Sequence, residues 1–145
     1  MSALLTAGYN RVTLLAETTI GAAVTAVTTT PVTGLLGMHG ATVQFKFLYG
    51  AGGTSVKAYL QTSIDGGVTW FDIAAFAATT AALTRLFSVR SGIAVAPNIT
   101  PGSGVLADNT ILDGVLGDRL RILYTSVGVY TGATSLAVHA VTKGY

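Results

Sequence analysis

The chain has no cysteine, which removes disulfides, thiolate metal sites and cysteine nucleophiles together and leaves the redox compartment open. Charge is almost as scarce, at 10% of 145 residues against about 25% in an ordinary soluble domain. Half of the residues are apolar, and low charge with ample hydrophobicity is the opposite of the composition that keeps chains disordered. Eight Lys and Arg outnumber six acids, yet they are scattered as Arg11, Lys46, Lys57, Arg85, Arg90, Arg119, Arg121 and Lys143. The pI near 9.1 therefore reflects few charges rather than a basic patch, and a nucleic-acid partner is not expected. What fills the space instead is 22 Thr, 21 Ala and 18 Gly, 61 of the 145 positions. A surface so short of Lys and Glu lacks the charge that keeps edge strands apart and is expected to be covered by partners.

Two stretches, 18–45 and 122–142, carry no Asp, Glu, Lys or Arg. Both alternate in polarity and are studded with Thr, Ser and Gly, so neither reads as a membrane helix and no membrane partner is expected. The opening residues Met1 to Gly8 have no basic region and a short apolar run, and do not read as a signal peptide. The length fits a single domain, 1–145, large enough to bury about 68–70% of its unfolded surface.

Periodicity sets the fold class. From Ala41 to Tyr49, Val43, Phe45, Phe47 and Tyr49 share one face of a half-buried strand. Ser55 to Ser63 follows, with Val56, Ala58 and Leu60 inward and Lys57, Tyr59 and Gln61 outward. Further strands are read at Arg11 to Ala16, Ala22 to Thr30, Val32 to Leu36, Thr69 to Phe76, Ala81 to Arg90, Asp118 to Val127 and Thr134 to Lys143. No window has a capped helix pattern. About seven or eight antiparallel strands point to an all-β sandwich, Ig-like or jelly-roll-like, because one open sheet would leave an apolar face wet. Ala74, Phe76, Leu86, Leu123 and Val141 are read as outward apolar positions, as in the charge-depleted core of an interface. The segment 91–117, holding Pro97, Pro101 and five Gly, is too long for an ordinary connection. It is read either as an extended loop or arm that packs on a neighbour, with Ile93, Val95, Pro97, Ile99, Pro101 and Val105 as candidate interface residues, or as an irregular excursion with one edge strand. On the arm reading, deleting Ala94 to Asp108 leaves a folded sandwich but abolishes binding to the partner.

Candidate chemistry is thin. His39 and His139 are the only histidines, and no nucleophile elbow surrounds any Ser, so no catalytic residues are assigned and the chain is not expected to be an enzyme. Asp108, Asp113 and Asp118 could offer oxygen ligands to Ca²⁺, but their spacing does not match an EF-hand loop and turn-forming Asp is the ordinary reading; no metal and no cofactor is assigned. Gly50-Ala-Gly-Gly53 lacks the following helix and Lys of a phosphate cradle and reads as a hairpin loop. Tyr59, Trp70, Phe71, Phe76, Tyr124 and Tyr130 could form a sugar-stacking platform, which requires Tyr59 or Tyr130 to face solvent; core packing is the competing reading.

The sharpest local signal is Ser63-Ile-Asp65-Gly-Gly67-Val-Thr69-Trp70. It resembles the Asp-box of sialidases and other β-propellers, and the likeness implies hairpin geometry alone: an Asp carboxylate taking backbone N–H groups, Gly at positive φ, and Trp packed back on the turn. Over a longer span, from about Ala41 onward, the run Tyr59 to Ile73, the run Asp113 to Ile122 and the hairpin Tyr130 to Leu136 resemble the small β-sandwich virion proteins of tailed bacteriophages. That resemblance implies a structural role in the particle. It points to a head decoration or cement protein that clamps the major capsid protein, with copies of itself as a further partner and a trimer as the assembly. A tail or connector component is the near alternative.

Overall fold

The computed structural model describes residues 9–92 and 98–144. The described residues contain no helix and ten strands: β1 Tyr9–Thr19, β2 Val24–Thr28, β3 Met38–Leu48, β4 Ala51–Gly52, β5 Ser55–Ser63, β6 Phe71–Ala78, β7 Leu83–Arg90, β8 Arg119–Val127, β9 Tyr130–Thr131 and β10 Ser135–Gly144. Eight of them form two four-stranded sheets, ordered β1-β10-β3-β7 and β2-β8-β5-β6, and the two-residue strands β4 and β9 pair separately. All pairings between strands are antiparallel. The expected β-sandwich is therefore the fold. Its eight long strands, taken in chain order, pair as first-eighth-third-sixth and second-seventh-fourth-fifth, the double-sheet arrangement of a jelly roll.

Alternation builds the core as the sequence implies. Val43, Phe45 and Phe47 of β3 and Val56, Ala58 and Leu60 of β5 are buried, joined by Leu120 and Ile122 of β8 and Leu136, Val138 and Ala140 of β10. Phe45 stacks across the two sheets on Phe76 at 5.1 Å and within its own sheet on Phe87 at 5.6 Å, and Phe47 meets Tyr130 of β9 edge-on at 5.8 Å. The glycine loop after β3 closes against the β9 turn. A side chain on Gly50 would collide with the Gly132 carbonyl, and one on Gly53 would collide with the Tyr130 ring, so these positions serve close packing and leave no room for a phosphate.

Three expectations change. Ala74 and Phe76 are core residues rather than outward ones. The β5/β6 register slips between Leu60 and Gln61, leaving Ile73 as the extra residue on β6. Such a bulge reverses the alternation beyond it, so Phe76 and Ala74 point inward while Asp72 is delivered to the outer face. The Val32 to Leu36 strand reduces to a single bridge from Val32 to Leu120. Tyr59 and Leu123 do lie on the outer face, but they are buried there with Ala75 beneath Leu106 of the long segment.

Candidate functional site

The hairpin from Ser63 to Trp70 is held by its own side chains. Asp65 Oδ1 accepts from the Thr69 N–H at 2.8 Å and from Ser63 Oγ at 2.9 Å, and Ser63 Oγ in turn accepts from the Gly67 N–H at 2.9 Å. The Thr69 backbone N–H above all, with the Thr69 and Ser63 hydroxyls adding, holds the Asp65 carboxyl down at about 2. Gly66 and Gly67 take φ of 75° and 91°, where a side chain would be strained. Trp70 donates its Nε1–H to the Gly67 carbonyl at 3.0 Å, and the Arg121 guanidinium covers the ring at 4.0 Å from its centroid. The side chains of Ser63, Asp65 and Trp70 all bond within the turn, while the Ser63 and Trp70 carbonyls accept from Asp118 and Gly102 outside it.

A second polar node was not legible in the sequence. Asp72, delivered outward by the bulge and 4% exposed, accepts from Gln61 Nε2 at 2.8 Å and from the backbone N–H groups of Gly104, Val105 and Leu106 at 3.2, 2.8 and 3.2 Å. Gln61 also donates to the Gly102 carbonyl at 3.1 Å and accepts from Arg121 Nε at 2.8 Å. One chain of contacts thus runs from the hairpin's Trp70 through Arg121, Gln61 and Asp72 into the segment 102–106. The only sequence signal was an acid inside the apolar run Phe71 to Phe76, with no partner indicated.

Further along, the segment continues the sheet. Ala75 donates to the Thr110 carbonyl and Leu112 to the Ile73 carbonyl, both at 2.8 Å, so the exposed edge of β6 is covered by the chain's own backbone. Asp113 caps the Arg90 N–H at 2.6 Å. Residues 102–117 therefore pack back on the sandwich, as the irregular-excursion reading has it. Ile93, Val95 and Pro97 fall outside the described residues. Ile99 is half-buried, whereas Pro101 and Val105 are exposed. The deletion expected to spare the sandwich would remove the Asp72 donors and the cover of Tyr59, so that expectation is withdrawn.

The remaining candidates are dispersed. Asp108 pairs with Lys57 at 3.1 Å, Asp113 serves Arg90 and Gly114, and Asp118 lies 3.5 Å from Arg119. No group of three or more possible metal ligands occurs among the described residues. His139 is exposed and meets Thr13 Oγ1 at 3.4 Å. Tyr59 and Tyr130 are buried at 6% and 2% exposure; burial raises both phenols, and Tyr130 donates to the Thr79 carbonyl at 2.8 Å. The rings required to face a sugar are committed to the fold, which overturns the stacking platform in the form expected.

What is presented to solvent is the outer face of the β1-β10-β3-β7 sheet. It forms a shallow concavity of about 370 Å³ in which Arg11, Thr42, Gln44, Lys46, Leu86 and His139 take part. Leu86 is 70% exposed, with Leu48 and Val141 at 40% and 39%. No protein-family model, curated protein or solved structure matches the chain.

Proposed function

We propose that this chain is a non-enzymatic structural protein of a tailed-bacteriophage virion. It acts as a decoration or cement protein on the head surface, binding the assembled major capsid protein and copies of itself and bridging neighbouring subunits. The observation that carries the reading is the jelly-roll strand order, an architecture recurrent in viral capsid and lectin domains. That is an argument by fold analogy, and it joins the sequence resemblance described above. The outer face of the β1-β10-β3-β7 sheet, with exposed Leu86, Leu48 and Val141 set among Arg11, Glu17 and Lys46, supplies a surface suited to a partner. The lectin branch of the same architecture is disfavoured by the burial of Tyr59 and Tyr130.

The mechanism is mechanical. A protein that binds the assembled lattice and not its separated subunits stabilises the lattice by linkage, by about 2.7 kcal/mol per site at a concentration one hundred times the dissociation constant. The outer sheet face and the exposed side of the long segment, at Pro101 and Val105, are the proposed contacts. The test is co-sedimentation of the full chain with empty shells of the phage that encodes it, followed by the temperature at which decorated shells rupture. Saturable binding with a raised rupture temperature is the expected result. Absence of binding to shells, with binding to purified tails, would transfer the protein to the tail alternative.

A further inference from the structure

Each sheet of an open sandwich has two edges, and here three of the four are blunted. β1 carries two register shifts against β10. β2 is five residues long, with a shift and a positive φ of 51° at Ala26. β6 is covered by residues 110–112. Short length, bulges and covering strands are the ordinary protections of an edge. Among the described residues β7 has none of these three along Leu83 to Val89: it is eight residues long and pairs with β3 without a register shift, and the single charge of Arg85 is its one guard there. Ser91 donates to the His39 carbonyl, toward β3, whereas the Arg90 N–H points the other way to Asp113. Strand alternation then sends the N–H and C=O groups of Thr84, Leu86 and Ser88 outward, where no strand or segment among the described residues pairs with them.

We propose that β7 pairs antiparallel with β7 of a second copy, Leu86 opposite Leu86, joining two four-stranded sheets into one of eight. The occupant follows from the strand's own complementarity. An antiparallel ladder brings outward-pointing residues opposite one another, and centring it on Leu86 sets Thr84 against the partner's Ser88 and Leu83 against the partner's Val89. Arg85 then lies opposite the partner's Phe87, and no like charges oppose. Apolar pairs, hydroxyl pairs and a cation over a ring are favourable cross-strand neighbours. Beside the strand lies a cleft of about 260 Å³ lined in part by Phe87, Asn109 and Ile111, open to the partner's inward row. Leu86, 70% exposed, becomes the centre of the contact. The inference deepens the self-association in the proposal above and does not depend on the capsid. The contact is twofold, so a trimer would have to be built on another surface.

The test uses the full chain. Sedimentation velocity of the wild type is expected to give a dimer. Leu86→Lys, at an exposed position, should stay folded with the wild-type circular-dichroism spectrum and raise the dissociation constant at least about tenfold by opposing two like charges. Because the chain has no cysteine, Leu86→Cys has a single thiol and should oxidise to a covalent dimer, the facing Cα atoms of such a pair lying about 5.5 Å apart, within disulfide reach. A wild type that is monomeric, or an oligomer whose mass and dissociation constant Leu86→Lys leaves unchanged, overturns the proposal. Association through Leu86 without binding to shells would uphold it and remove the particle reading.

Discussion

Replacing Asp72 by Ala tests whether the long segment is fixed by one buried carboxylate. The side chain accepts four hydrogen bonds, two at 2.8 Å from Gln61 and Val105 and two at 3.2 Å from Gly104 and Leu106. Hydrogen bonds to a charged group contribute about 1.5–3 kcal/mol each, and a donor left buried without a partner costs about 1–3 kcal/mol. Against this, the variant no longer has to bury a carboxylate, and residues 104–106 are only partly buried, so water can reach the freed amides. The net expectation is a loss of about 2–4 kcal/mol, the range of a broken buried network. With a urea slope of about 2 kcal/mol/M, the unfolding midpoint should fall by about 1–2 M at unchanged slope. Hydrogen exchange locates the effect: the amides of Gly104, Val105 and Leu106 should lose protection well before those of β3. A midpoint shift below about 0.3 M, with those three amides still protected, would refute the reasoning.

Other expectations follow from single contacts. Asp65 has a folded-state pKa held at about 2, below the ordinary range, so its contribution is present above about pH 4 and is lost as pH falls toward 2. Acid titration of wild type against Asp65→Asn should show that share of the pH dependence disappear, with the hairpin amides as reporters. Phe45→Ala removes the ring stacked on both Phe76 and Phe87 and should cost about 3–5 kcal/mol by chemical denaturation. Gly53→Ala places a methyl into the Tyr130 ring at a φ of 70° and should lower stability by more than about 1 kcal/mol, read as a fall in melting temperature. Val105→Ser, at 73% exposure, should leave stability within about 0.5 kcal/mol while weakening shell binding if the outer side of the segment is a contact.

The sandwich was legible because strict alternation in β3, β5, β8 and β10 leaves one reading of which face is wet. The β5 bounds, Ser55 to Ser63, agree residue for residue. Failure came where the period broke. The extra residue at Ile73 reversed the faces of β6 and turned two core residues into false surface positions, and nothing in a run of Ala and Phe marks a bulge. The hairpin was legible because its chemistry is local, within eight residues. The Asp72 node was not, since three of its four donors lie more than thirty positions away and are backbone groups, which carry no side-chain signature. For the same reason the segment stood open between an arm and an irregular excursion: its composition indicates an irregular path but not what that path covers. Edge exposure on β7 is a property of topology, invisible until the strand order is known.

The most direct measurement is the binding of the purified full chain to empty shells, by co-sedimentation with the shell position read from image reconstruction. The account predicts saturable binding at fixed sites between capsid subunits and a raised shell rupture temperature. A chain that stays in the supernatant at concentrations well above those of the shell subunits, leaving rupture unchanged, would contradict it.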